Sequence, residues 1–279
     1  MASVRVHVLG TAQDGGVPQP GCICPHCEGA RRDPGRRRRV ACIAVEGVSG
    51  RTFLVDATPD LREQIDALCA ASSVRKACFA DAIAISHAHI GHYLGLAFLG
   101  KEAMHAKSLP VYSTPKTARF IQGNRPWAHL VERGEIELKT LTPGSPLSFD
   151  GAMIHAFLSP HRGEDTDTIG FEIHGPNRRL VYVSDADVLP AAIVDRVRDA
   201  DVALVDGTFY SRAELPHRDI LEVKHPFVEE SLKKLAGARG QVFFTHLNHT
   251  NPLLDVDGPA RRALPKGFAV AEEGMVFEL

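Results

Sequence analysis

No apolar run in this 279-residue chain approaches the roughly 20 residues a membrane-spanning helix needs, so a membrane protein is not expected. The opening MASVRVHVLG has strand character and lacks the charged and apolar zones of a secretion signal. The cytoplasm is therefore the expected compartment. No Pro/Ser/Gly-rich linker divides the chain and no fixed-period repeat runs through it, so residues 1–279 read as a single layered domain. Charge of one sign is also missing. With 32 Lys+Arg against 34 Asp+Glu, the net charge of -2 cannot neutralise many phosphates, which excludes a general nucleic-acid binder. The basic run Arg36 to Arg39 reads as a solvated loop edge. The 44% hydrophobic content argues against disorder and fibrous architectures.

Histidine and cysteine are present in excess of what packing explains, with 14 His and 6 Cys. Three cysteines fall together in Cys22-Ile23-Cys24-Pro25-His26-Cys27. Clustered thiols in a cytosolic chain point to metal rather than to disulfides. Three thiolates need one more donor to close a tetrahedral zinc site, and His249 in Thr245-His246-Leu247-Asn248-His249 is the choice, with His26 second. A zinc knuckle near 21–28 is expected. Cys42, Cys69 and Cys78 lie among apolar residues and read as buried small hydrophobes.

Short β-branched runs recur along the chain: Val4–Leu9, Cys42–Glu46, Thr52–Asp56, Ala82–Ser86, Leu109–Ser113 and Ile136–Leu141. Others follow at Met153–Leu158, Thr168–Ile173, Leu180–Ser184, Val202–Asp206, Gln241–Thr245, Phe268–Ala271 and Met275–Glu278. Helical patterns fall at Pro59–Ala70, Gly91–Met104, Pro115–Gln122, Pro190–Arg198 and Pro226–Leu235. Strands come in groups with helices inserted between groups, which predicts two mixed sheets packed together with helices outside, an α/β class.

The strongest motif is Ser86-His87-Ala88-His89-Ile90-Gly91-His92, placed directly after the run Ala82 to Ile85. Residues two apart in an extended segment face the same way, so His87 and His89 can converge on one ion, with His92 at the following turn. His161, Asp185 and His246 each follow a strand run, where ends of different strands can share a rim. Asp56 ends another such run.

The ordered set Asp56, His87-x-His89, His92, His161, Asp185, His246 resembles the metallo-β-lactamase superfamily, an αββα sandwich of metal-dependent hydrolases. That resemblance implies a first divalent ion (Zn, Mn or Fe) on His87, His89 and His161. Asp185 would bridge toward a second ion on His92 and His246, and Asp56 would orient the histidine loop. Asp185 and His246 are the expected catalytic pair. Asp185 would align a metal-activated water, and His246, if free of metal, would pass a proton to the leaving group. His225 and Asp14 are candidate substrate or loop residues. The family motif carries Asp where this chain has Gly91, so the second site is expected to lack a carboxylate and to be weak, empty or differently filled. Asp165, Asp167 and Asp187 are the candidates to compensate.

Within the superfamily, the Cys-x-Cys-x2-Cys cluster resembles the branch of phosphoribosyl cyclic phosphodiesterase. The stretch Leu9 to Gln19 and Thr250-Asn251-Pro252 resemble coenzyme PQQ synthesis protein B. The leading expectation is hydrolysis of a phosphodiester or cyclic phosphate in a small molecule. The alternative is an iron-dependent oxygenase of the PQQ synthesis protein B type, with a two-histidine, one-carboxylate triad of His92, His246 and Asp185. A non-catalytic metal or ligand sensor is the third. A homodimer is implied by resemblance alone.

Overall fold

The computed structural model describes residues 3–72, 80–214 and 224–279. Fourteen strands among them form two seven-stranded sheets. The first contains β1 (Arg5–Gly10), β2 (Cys42–Glu46), β3 (Thr52–Val55), β4 (Ala82–Ala84), β5 (Leu109–Ser113) and β6 (Ile136–Thr140), with the last strand, β14 (Val276–Glu278), on the far side of β1. The second contains β7 (Pro146–Phe149), β8 (Ala152–Ser159), β9 (Thr168–His174), β10 (Arg179–Val183), β11 (Val202–Asp206), β12 (Gln241–Thr245) and β13 (Phe268–Val270), side by side in reverse chain order. Both sheets are mixed. Strands β3 to β6 and β10 to β13 run parallel and the rest pair antiparallel.

The central parallel strands β3, β4 and β11 are buried at every position, which explains their unbroken apolar runs. Val202–Asp206 is buried at every position, as a parallel strand must be when helices cover its outer face. Between the sheets lies one core, including Val6, Ile43, Phe53, Phe171, Tyr182 and Leu204. The outer face of the first sheet packs under α2 (Leu61–Ala71), α4 (Pro115–Gly123) and α5 (Trp127–Glu132) through Leu61, Ile65, Ile121 and Leu130. Outside the second sheet, Ile193, Val197 and Val228 of α6 (Ala191–Asp199) and α7 (Val228–Lys234) make the matching layer. The result is the αββα sandwich.

The structure departs from the sequence pattern at several places. Gly91–Met104 is not one helix: a four-residue α3 (Ile90–Tyr93) passes into a 3-10 turn over Leu94–Leu99. Gly95 is pressed so close to the chain ahead of α2 that a Cβ there would stand 2.1 Å from the Thr58 carbonyl, which fixes the path of the turn. Strand β7 and helices α1 (Pro25–Arg32), α5 and α8 (Pro259–Arg262) had no clear pattern. Trp127 opens α5 and packs edge-on to Tyr93 at 4.9 Å, against the apolar cluster outside the first sheet. Cys42 is buried as expected, but Cys69 is only half-buried and is disulfide-bonded, a correction to its reading as a plain buried thiol. Cys78 lies outside the described residues.

Candidate metal centre

Strand ends build the site. The C-terminal ends of β3, β4, β8, β10, β11 and β12 deliver Asp56, the His87–His92 segment, His161, Asp185, Asp206 and His246 to one rim. All are buried apart from the surface turn at His89. Two of these residues, Asp56 (φ 74) and His246 (φ 58), adopt left-handed backbone, strain that surrounding structure must hold in place.

Five of the imidazoles, those of His87, His92, His161, His225 and His246, are oriented through Nδ1. Asp56 is the hub on one side, since its carboxylate accepts from Ser86 N (2.7 Å), Ser86 Oγ (3.0 Å) and His92 Nδ1 (2.7 Å). Having donated to Asp56, the Ser86 hydroxyl accepts from His87 Nδ1 at 3.0 Å. On the other side Asp187 accepts from His161 Nδ1 at 2.9 Å and Asp206 from His225 Nδ1 at 2.7 Å. Thr208 Oγ1 donates to Asp206 at 2.8 Å and accepts from His246 Nδ1 at 2.9 Å. Carboxylates only accept, so these bonds place a proton on Nδ1 and turn Nε2 of His87, His92, His161 and His246 inward.

The inward atoms gather into two groups. His87, His89, His161 and Asp185 form one, with donor atoms within 4.8 Å of one another; Asp14, His92 and His246 form the other. His87 Nε2 and His89 Nδ1 are 2.9 Å apart, and His161 Nε2 lies 3.3 Å from His89 Nδ1. Asp185 reaches both groups, standing 3.8 Å from His161 Nε2 and 3.4 Å from both His92 Nε2 and His246 Nε2. Asp14 Oδ1 lies 3.4 Å from His92 Nε2 and 3.7 Å from His246 Nε2. Donors held about 2.0–2.1 Å from one tetrahedral ion stand roughly 3.3 Å apart, close to the spacing of these atoms. Four of the atoms, Asp14 Oδ1, His92 Nε2, Asp185 Oδ2 and His246 Nε2, are buried without a hydrogen-bond partner. Buried polar atoms left unpaired are costly, and cations held by the two groups would satisfy them.

Electrostatics point the same way. Burial pushes the Asp185 carboxyl up, but His246 and His92 beside it outweigh burial and hold it ionised well below its ordinary value. Asp14 is held down against its own burial by His246 and His92. Burial and neighbouring imidazoles keep His87 and His89 neutral, the form that donates a lone pair. His92 is driven up despite burial because Asp185 and Asp56 surround it, the mark of a cavity that favours positive charge.

Gly91 does not leave the second group without a carboxylate. Asp14, from the loop after β1, occupies the space beside Gly91, and it is Asp14 rather than Asp165, Asp167 or Asp187 that faces His92 and His246. Asp187 instead holds His161, and Asp165 is exposed. His225 joins Asp185 and His246 in a further donor group. Asp206 and Thr208 had no sequence assignment, although Asp206 ends an apolar run just as Asp56 does.

A cavity of about 320 Å³ opens onto the rim, lined by Gln13, Ala88, Ile90 and Arg162 together with the donors. It adjoins a larger one of about 760 Å³ through Asp14 and Ile90. The basic run is therefore not all solvated edge. Arg36 and Arg37 are exposed, but Arg38 and Arg39 are half-buried, Arg37 to Arg39 line the larger cavity, and Arg39 pairs with Glu273 at 2.5 Å. Some 227 residues apart in sequence, Cys22 Sγ and His249 Nδ1 stand 3.3 Å apart, with Cys24 Sγ at 3.4 Å and Cys27 in the same group. His26 is outside that group and contacts the His249 carbonyl instead.

Residues 51–247 match the family described as the beta-lactamase superfamily domain. The chain belongs to the beta-lactamase superfamily. Coenzyme PQQ synthesis protein B of Cupriavidus taiwanensis is 30% identical over 98% of this chain and 99% of its own length. The crystal structure of Zn(2+)-bound PqqB from Methylobacterium extorquens superposes with a TM-score of 0.87, covering 99% of this chain and all of that one, at 24% identity. A diphosphatase of the PhnP family follows at TM-score 0.74 and 25% identity, covering 99% of this chain and 97% of that one. The chain thus stands on the branch of the superfamily that resembles PqqB and phosphodiesterases. The sequence likeness weighs toward the PQQ synthesis proteins, against the order of the two chemistries expected from sequence.

Proposed function

We propose that this chain is a metal-dependent enzyme acting on a small molecule, with oxygen-dependent oxidation of a precursor in quinone-cofactor synthesis its first reading. One observation carries it: two histidines and one carboxylate, His92, His246 and Asp14, with Asp14 in the place expected of Asp185, converge beside an open cavity, the kind of donor set non-haem iron oxygenases use. The relatives named for PQQ synthesis support it. A bound ion at this rim would supply Lewis acidity and, if iron, reactivity with dioxygen.

The protein's own groups do the rest. Asp56, Asp187 and Asp206 fix the rings. His225, raised by Asp206 against its burial, is placed to hold a proton at the cavity wall. Arg162 beside His161, with Arg37 and Arg38 in the adjoining cavity, suits an acidic substrate.

A second reading, metal-assisted phosphodiester hydrolysis, is favoured by Asp185, which reaches both donor groups as a bridging carboxylate does in two-metal hydrolysis. Protein purified without added metal separates the two. Iron in the preparation, with oxygen uptake on tyrosine-derived quinone precursors, is the expected result. Zinc or manganese, cleavage of bis(p-nitrophenyl) phosphate and no oxygen uptake would overturn the first reading in favour of the second.

A further inference from the structure

We infer that Asp14 and Gly91 are a reciprocal pair: Asp14 supplies, from the loop after β1, the second-ion carboxylate that position 91 does not, and glycine at 91 is what makes room for it. The inference rests on the metal-centre part of the reading above and is independent of the chemistry performed there.

Three observations carry it. A Cβ built on Gly91 would stand 2.2 Å from Asp14 Oδ1 and 2.9 Å from its Cα, so a side chain at 91 and the carboxylate at 14 compete for the same space. Asp14 Oδ1 is buried, has no hydrogen-bond partner and faces His92 Nε2 and His246 Nε2. The loop is pinned where it needs to be. Gln13 N donates to the Leu247 carbonyl at 3.0 Å, one residue from His246, and Gly16 N closes a turn onto the Gln13 carbonyl at 2.7 Å. The second group then holds one carboxylate and two imidazoles, with Asp185 standing 3.4 Å from each imidazole at the border with the first group. A donor set that includes an anionic carboxylate binds a second divalent ion more firmly than two imidazoles alone, where the loss of a carboxylate at 91 taken by itself predicts a weak site.

The test counts ions. Apoprotein with its cysteine site filled by zinc is dialysed against Mn(II), bound manganese is measured by elemental analysis, and the spin-coupled signal of a manganese pair is followed by electron paramagnetic resonance. Wild type is expected to bind two rim ions and give the coupled signal. Asp14→Asn should weaken the second ion at least about tenfold and lose the coupling. Gly91→Asp should do likewise, because two carboxylates collide. The double variant Asp14→Gly/Gly91→Asp should regain the second ion. Wild-type second-ion binding in Asp14→Asn would overturn the inference, and so would a double variant that melts like wild type yet fails to regain the ion. If the double variant does not fold, Asp14→Asn decides alone. Failure of the oxygen-uptake assay would leave these counts untouched.

Discussion

At the scale of single residues, Asp56 carries more of the site than any donor it supports. Its carboxylate accepts three hydrogen bonds from Ser86 and His92 while its own backbone sits at φ 74, and it touches no position an ion would occupy. Asn tolerates that backbone and keeps the shape, so Asp56→Asn isolates the charge. Removing a carboxylate that orients a metal-binding histidine usually lowers metal affinity 10–100-fold. The amide also leaves a buried donor mismatched, at a cost of about 1–3 kcal/mol. The expected outcome is a folded protein with weakened rim-ion binding and a lower melting temperature, measured by metal titration and thermal unfolding. Unchanged affinity would place the orienting role elsewhere.

Single residues also mark where sequence reading stops. His87, His89, His161, Asp185 and His246 are legible because each follows a strand-like run, and a strand end is a place a sequence can name. Asp14 lies in a glycine-rich turn whose destination depends on how β1 and β12 sit in space, so its partnership with Gly91 has no local signal. Asp206 was readable in principle, as the last residue of a buried run, but its task shows only once His225 and Thr208 are beside it.

At the scale of elements, the cysteine cluster and His249 bring together two segments far apart in sequence. The segment from β1 to α1 carries Asp14, Cys22, Cys24 and Cys27, and the loop after β12 carries His246 and His249. Backbone pairing joins the same two segments at Ala12 and Leu247. Zinc on the three thiols and His249 would therefore fix the relative position of Asp14 and His246 from outside the rim. His249→Ala is expected to lower the melting temperature, by about 2–4 °C for each kcal/mol lost in a chain of this size. It should also weaken the second rim ion although His249 does not touch it. Thermal melts with and without zinc, paired with manganese binding, check both. A fall in melting temperature with unchanged rim binding would show that the cysteine site stabilises without positioning. Element patterns were read best where apolar runs are long and buried. Strand β7 escaped because it is a four-residue, mostly exposed edge strand, and α1, α5 and α8 because helices of four to eight residues are too short to show a period.

At the scale of the whole molecule, two sheets in mirror order place the ends of their parallel strands on one edge. The grouping of strand runs with helices between groups was enough to predict that layering, because each sheet must bury one face against the other and one against helices. What the pattern could not carry was the meeting of distant loops at that edge, where the choice between chemistries is made. No helix among the described residues is long and apolar enough to cross a membrane. The central claim is a two-ion rim in which Asp14 completes the second site, beside a separate zinc on cysteine. Metal-specific anomalous diffraction from crystals of protein purified without added metal tests it most directly. Two rim peaks are expected, one among His87, His89 and His161 and one on Asp14, His92 and His246, with zinc alone at Cys22, Cys24, Cys27 and His249. A single rim peak, or a second ion with Asp14 turned away from it, would contradict the account.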